Sequence, residues 1–252
     1  MIAMTALRKE LLEQWRTYRL FLVAIVLVAF GMLSPLLAKI TPELLKLIPG
    51  GEQFVGLIPA PTVADAITQY LKNISQFGFL LALLTTMGAV AQEKERGTAV
   101  LMLVKPLGRG TFLFAKFAAL ALTYLVGMLL AGLAAYYYTT VLFSAPDLSA
   151  WLTMNMLLWL YTMVFVAITL LASTLLKSQA GAAAIGFGAM VVLSILGALP
   201  TLGQYLPGQL VSWASTVFTA PQTTSWAAVA VSVVLIVGCL LSAWAIFEKQ
   251  EL

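Results

Sequence analysis

The sequence predicts an all-α polytopic membrane protein with six transmembrane helices. Three observations carry that prediction. The 252 residues are 62% hydrophobic and only 10% charged, whereas a soluble domain carries about 25% charged residues. The apolar residues collect into six runs, each long enough to cross a hydrocarbon core roughly 30 Å thick. The cations are also distributed unevenly between the loops, as positive-inside topology demands. Mean hydropathy is +0.99. No polar stretch is long enough to fold as a soluble domain, so residues 1–252 read as a single transmembrane domain.

Residues 6–19 form the first element. Leu7, Leu11, Trp15 and Tyr18 fall on one helical stripe, and Arg8, Lys9, Glu10, Glu13, Arg16 and Arg19 cover the other faces. That pattern predicts an amphipathic interfacial helix on an anionic leaflet. A signal peptide is the competing reading. The apolar run that follows is too long for one, and no small-x-small cleavage site follows it.

The spans are expected at about 20–38, 73–91, 117–138, 151–173, 181–199 and 226–247. Pro35 lies near the far end of the first, where a break is tolerated. Residues 39–71 are mixed, rich in proline and broken by Gly50-Gly51; one or two short surface helices are expected there. Thr111 is placed to cap the helix of the third span. Gly127, Ala131 and Ala135 give that span a small-residue face for close packing in lipid, and Tyr136–Tyr138 suit an aromatic belt. Residues 200–225, interrupted by Pro207, Gly208 and Pro221, read as an outer re-entrant or short-helix segment. Trp226 and Trp244 bracket the sixth span, about 27 Å apart along a helix.

Residues 92–110 stand apart. Glu93, Lys94, Glu95 and Arg96 are consecutive, and each would cost roughly 2.5–3.5 kcal/mol at a bilayer centre. This segment therefore lies outside the hydrocarbon. Gly97 breaks the run, and Ala99–Val104 follow as six apolar residues. Six helical residues rise only about 9 Å and cannot span. An apolar patch on a wet loop marks a contact surface. The charges also alternate in sign, which a pure topology signal does not need. A short docking helix at the membrane surface is expected here.

Six spans bring both termini to one side. Arg8, Lys9, Arg16, Arg19, Lys94, Arg96, Lys105, Arg109, Lys116, Lys177 and Lys249 fall on that side; of the 14 cations only Lys39, Lys46 and Lys72 fall on the other. The termini and residues 92–110 are therefore expected in the cytoplasm. This bias also accounts for the net charge of +4 without a nucleic-acid partner.

No catalytic residues are expected. There is no histidine, which removes the Ser-His-Asp triad, histidine zinc sites and histidine proton relays. No phosphate-binding GxxxxGK[ST] loop, GxSxG motif or metal-ligand spacing is present. Cys239 lies in an apolar run and reads as a small packed hydrophobe. The expected span interiors hold no Asp, Glu, Lys or Arg, which argues against a proton- or ion-coupled carrier. Most polar residues in the spans read as contacts between helices. Gln76 and Asn155 are the candidates to face a polar pathway.

The stretch QEKERGTAVLMLVKPLGRGTFLFAKF resembles the signature that follows the second span of ABC-2-type permeases, the membrane subunits of ATP-binding-cassette exporters. Its parts are Glu93-Lys94-Glu95-Arg96, Gly97-Thr98, Ala99–Val104, Lys105-Pro106, Gly108-Arg109-Gly110 and Lys116. The motif covers this one stretch in detail, and the entry helix and six spans extend the likeness to the whole architecture. The resemblance implies that Glu93, Lys94, Glu95, Arg96, Gly97 and Thr98 belong to a cytoplasmic coupling helix seated on a separate ATPase subunit. Trp15, Arg16 and Arg19 would belong to a connecting helix touching the same partner. It further implies two ATPase copies, a second permease subunit, identical or not, and a substrate route between the permeases. ATP and Mg would bind only to the partner, with no cofactor in this chain, in the plasma membrane. The chain lacks the sizeable extracellular domain of larger members, which leaves the cargo open. The alternatives are a stand-alone secondary carrier, which would transport without ATP, and an intramembrane enzyme, which would act as the isolated chain.

Overall fold

In a computed structural model, residues 2–47, 60–95, 97, 108–220 and 224–250 are described. Among them are ten helices and no strand. In chain order they are α1 (Ile2–Arg16), α2 (Arg19–Lys46), α3 (Val63–Thr86), α4 (Ala91–Glu95), α5 (Arg109–Leu142), α6 (Leu148–Leu175), α7 (Gln179–Gly197), α8 (Pro200–Gly203), α9 (Gly208–Thr216) and α10 (Trp226–Lys249). Six helical stretches are long and apolar enough to cross a membrane: α2, α3 with α4, α5, α6, α7 and α10.

Most of the helices, though not α7, outrun the apolar runs that announced them, because apolarity reports the lipid-facing length while caps set the ends. α3 starts at Val63, where the Thr62 N–H and hydroxyl both donate to Asp65 Oδ2 at 2.8 Å. Asp147 caps α6 by accepting from the Ala150 N–H at 2.8 Å. Ser178 caps α7 through the Gly181 N–H at 3.3 Å. Thr111 does not cap α5. That helix begins at Arg109, with Gly108 at its N-cap and the Phe112 N–H bonded to Gly108 O at 3.1 Å. α2 continues past residue 38, through Pro42, to Lys46. Just before Pro35, the Ser34 hydroxyl donates to Phe30 O and accepts from Asn73 Nδ2 at 2.9 Å, tying α2 to α3.

α6 is the buried centre of the bundle, packed by α3, α7, α9 and α10. α2 lies along α5 and α3. The small-residue face of α5 is where α2 approaches. Ala131 and Ala135 are fully buried, and a Cβ placed on Gly31 would come within 2.5 Å of Ala131 O. The two backbones therefore touch, as small residues permit in lipid. α7 and α10, by contrast, leave most of their apolar surface uncovered, including Phe187, Val192, Ile195, Val234 and Leu241. Trp226 and Trp244 are both exposed on α10.

The start of α5 and the end of α10 meet at one end of the bundle. Arg109 Nη1 donates to Phe247 O at 2.7 Å, Glu248 O at 2.8 Å and Gln250 O at 2.9 Å, covering the bare carbonyls at the end of α10. Phe112 stacks on Phe247 with centroids 5.7 Å apart. The buried residues Val90, Leu113, Leu170 and Ala243 complete this local core.

Candidate functional site

At this end of the bundle the charges converge on Lys116. Its side chain is 4% exposed, and its Nζ lies 2.7 Å from Glu93 Oε1 and 3.1 Å from Glu10 Oε2. Three segments far apart in sequence are thereby joined: α1 through Glu10, α4 through Glu93, and the start of α5. Glu10, Glu13 and Glu93 bring carboxylate oxygens within 4.8 Å of one another. Among the described residues, Lys116 and Lys9 form ion pairs within this group, Lys9 with Glu10 at 2.9 Å and Glu13 at 3.1 Å.

The inward face of α1 is therefore polar. Ala6, Glu10 and Gln14, four residues apart, are buried, and Gln14 Oε1 accepts from the Thr123 hydroxyl of α5. The opposite side carries Met4, Leu12, Trp15 and Tyr18, all exposed. Tyr18, in the turn between α1 and α2, has a positive φ of 59°, a conformation uncommon outside glycine.

The charges of α1 respond to this setting. Burial pushes the Glu13 carboxyl up, but Lys116, Lys9 and Arg19 outweigh it and hold it below its ordinary value of 4.5. Burial pulls the Lys9 ammonium down, but Glu10 and Glu13 outweigh that and hold it above 10.5. A lowered acid stabilises fully above its unfolded value and loses that contribution as pH falls; a raised base does so below its value and loses it as pH rises. The Glu13 contribution to the stability of the detergent-solubilised chain should therefore be fully present above about pH 5 and be lost as pH falls, and Glu13→Gln should flatten that acid limb in a melting series against pH.

α4 is joined to α3 by a break rather than a continuous helix, and one hydroxyl from α6 repairs it. Ser173 Oγ accepts from the Val90 N–H at 3.0 Å and the Ala91 N–H at 2.9 Å, and donates to Met87 O at 2.9 Å. The site is fully buried. Each buried donor left unmet costs about 1–3 kcal/mol, so Ser173→Ala should lower the melting temperature measurably, whereas Ser215→Ala, on an exposed part of α9, should not.

The expected site residues fall as follows. Glu93 binds Lys116. Lys94 donates to Thr174 O and to Gln250 Oε1, holding α4 against the ends of α6 and α10. Glu95 is exposed beside Lys177 and Gln179. Gly97 has a φ of +67° with no atom within 4 Å of a built Cβ, a turn that glycine makes without strain. Arg96, Thr98 and the apolar hexamer lie outside the described residues. Trp15 and Arg16 are exposed, and Arg19 Nη2 donates to Gln92 Oε1 at 3.3 Å. Gln76 is exposed on α3. Asn155 is buried; its Oδ1 accepts from Tyr70 Oη at 2.6 Å, and its Nδ2 donates to Trp151 O at 2.9 Å. Glu10, Gln14, Ser173 and Gln250 were not singled out from sequence. The signal available for this cluster was Lys116, a cation leading straight into an apolar helix.

Residues 4–252 match the family model described as ABC-2 family transporter protein. The chain belongs to the ABC-2 transporter family. A similar protein is the uncharacterized transmembrane protein YxlG of Bacillus subtilis (strain 168), 25% identical over 213 residues, which is 83% of this chain and 82% of that one. As an ABC-2 transporter membrane component, the chain is multi-pass. Permeases of this family are typically non-catalytic subunits that pair with an ATPase.

Proposed function

We propose that this chain is the membrane-spanning permease subunit of an ATP-driven exporter, working as a dimer and coupled to a separate ATPase that binds the ATP and Mg. The observation that carries the reading is the Lys116 cluster, which ties α1, α4 and α5 into one charged face. A push on α4 or α1 is passed directly to the buried start of a membrane helix. In this reading residues 92–110 are the coupling segment and α1 is the interfacial connecting helix. Its exposed Leu12, Trp15 and Tyr18 meet lipid, and Arg16 and Arg19 lie near the ATPase. The cation-rich end that holds both termini is cytoplasmic.

The exposed apolar faces of α7 and α10 supply surface for lipid and for a second permease copy. Gln76, exposed on α3 one turn from Lys72, lines the route between subunits. Asn155 supports that route from behind through Tyr70. The deciding experiment is affinity purification of the tagged chain from gently solubilised native membranes. A nucleotide-binding protein should co-elute in equal amount and be lost when Glu95→Lys, at an exposed position, and Arg96→Glu are combined. Elution alone, together with gradient-driven transport by the isolated chain in liposomes, would instead establish a secondary carrier.

A further inference from the structure

The opposite end of the bundle holds a cavity of about 540 Å³ between the start of α6, the end of α9 and the start of α10. Its size falls in the range of small-molecule sites. Asp147, Ser149 and Thr153 line one side; Trp213, Phe218 and Trp226 line the other. Trp213 and Trp226 meet edge to face, with centroids 5.5 Å apart. No lysine or arginine is among the described lining residues.

The chemistry of this lining is that of a cation acceptor. Aromatic faces attract ammonium ions, tryptophan most strongly. Asp147 adds a full negative charge at the mouth. Hydrogen bonds from the Ser149 hydroxyl and the Ala150 N–H hold its carboxyl below the usual range. These bonds engage Oδ1, at 2.6 Å and 2.8 Å. The helix terminus it caps offsets only about half an elementary charge, so the mouth stays negative.

We propose that this cavity binds a small organic ammonium ion, held against the Trp213–Trp226 pair with its charge toward the Asp147 carboxylate. The same chemistry is offered by a soluble hydroxylated ammonium and by the choline headgroup of a lipid.

Choline is the probe. It is titrated by calorimetry against the purified full chain in nanodiscs of phosphatidylglycerol. The control ligand is its uncharged analogue, with carbon in place of nitrogen. Saturable choline binding is expected, with the analogue weaker by about tenfold or more. Asp147→Asn and Trp226→Leu should each weaken choline comparably while leaving the melting temperature unchanged. Asparagine caps a helix as well as aspartate, and Trp226 is exposed, so both variants should fold. In phosphatidylcholine nanodiscs, loss of soluble choline binding assigns the site to the lipid headgroup, and unchanged binding assigns it to a soluble ammonium. Equal binding of choline and its analogue, no saturable binding in phosphatidylglycerol, or full affinity in both variants overturns the proposal.

Discussion

Replacing Lys116 by alanine should remove about 3–5 kcal/mol of stability, the cost of breaking a buried ion pair on one side. Glu10 and Glu93 would be left facing each other with their shared cation gone. The loss should appear as a large drop in the melting temperature of the solubilised chain and as low accumulation in the membrane. A triple variant distinguishes charge from shape. Lys116→Met with Glu10→Gln and Glu93→Gln leaves no uncompensated charge, and neutral replacements of buried ion clusters are often tolerated or stabilising. The triple variant should therefore recover most of the lost stability. If the cluster couples α4 to α5 as proposed, the recovered protein should still fail to transport. Full stability in Lys116→Ala would mean that the cluster contributes nothing to the fold.

Replacing Gly31 by leucine should abolish the accumulation of folded protein, and even alanine should cost about 1–3 kcal/mol, as overpacked sites do. The obstacle to a Cβ at Gly31 is the Ala131 backbone, with its O at 2.5 Å and its C and Cα both at 3.1 Å. A side chain in that position could rotate away, but a helical carbonyl cannot. α2 would have to lift from α5, opening the contacts of Val23 and Leu27, which reach toward Gly127. Gly238→Ala is the control, because nothing lies within 4 Å of its built Cβ. It should be neutral or mildly stabilising, since alanine favours a helix over glycine by up to about 1 kcal/mol. Thermal unfolding of the two alanine variants, with the membrane yield of Gly31→Leu, tests the contrast.

The membrane helices were legible because hydropathy is a local property. Each span announces itself in about 20 consecutive residues, and no partner is needed to read it. The small-residue face of α5 was legible for the same reason, since Gly127, Ala131 and Ala135 repeat at helical spacing and need no neighbour to show it. Helix ends were read less well. The Thr62–Asp65 cap starts α3 inside a connection where one or two short surface helices were expected, and α2 runs on past residue 38 to Lys46.

Sequence alone decided the class of the protein, its six spans and the end of the bundle where charge collects. Composition and periodicity govern all three, through the cost of placing polar groups in hydrocarbon. Only the tertiary structure decided which face of α1 turns inward. Periodicity marked Leu7, Leu11, Trp15 and Tyr18 as the stripe for the leaflet, and it did not report that the bundle would hold Glu10 and Gln14. Their partners, Lys116 and Thr123, lie 106 and 109 residues away. No local pattern reports such a distance. Packing set the pairing, because a cation at the buried start of α5 must find anions, and α1 and α4 are the helices close enough to supply them.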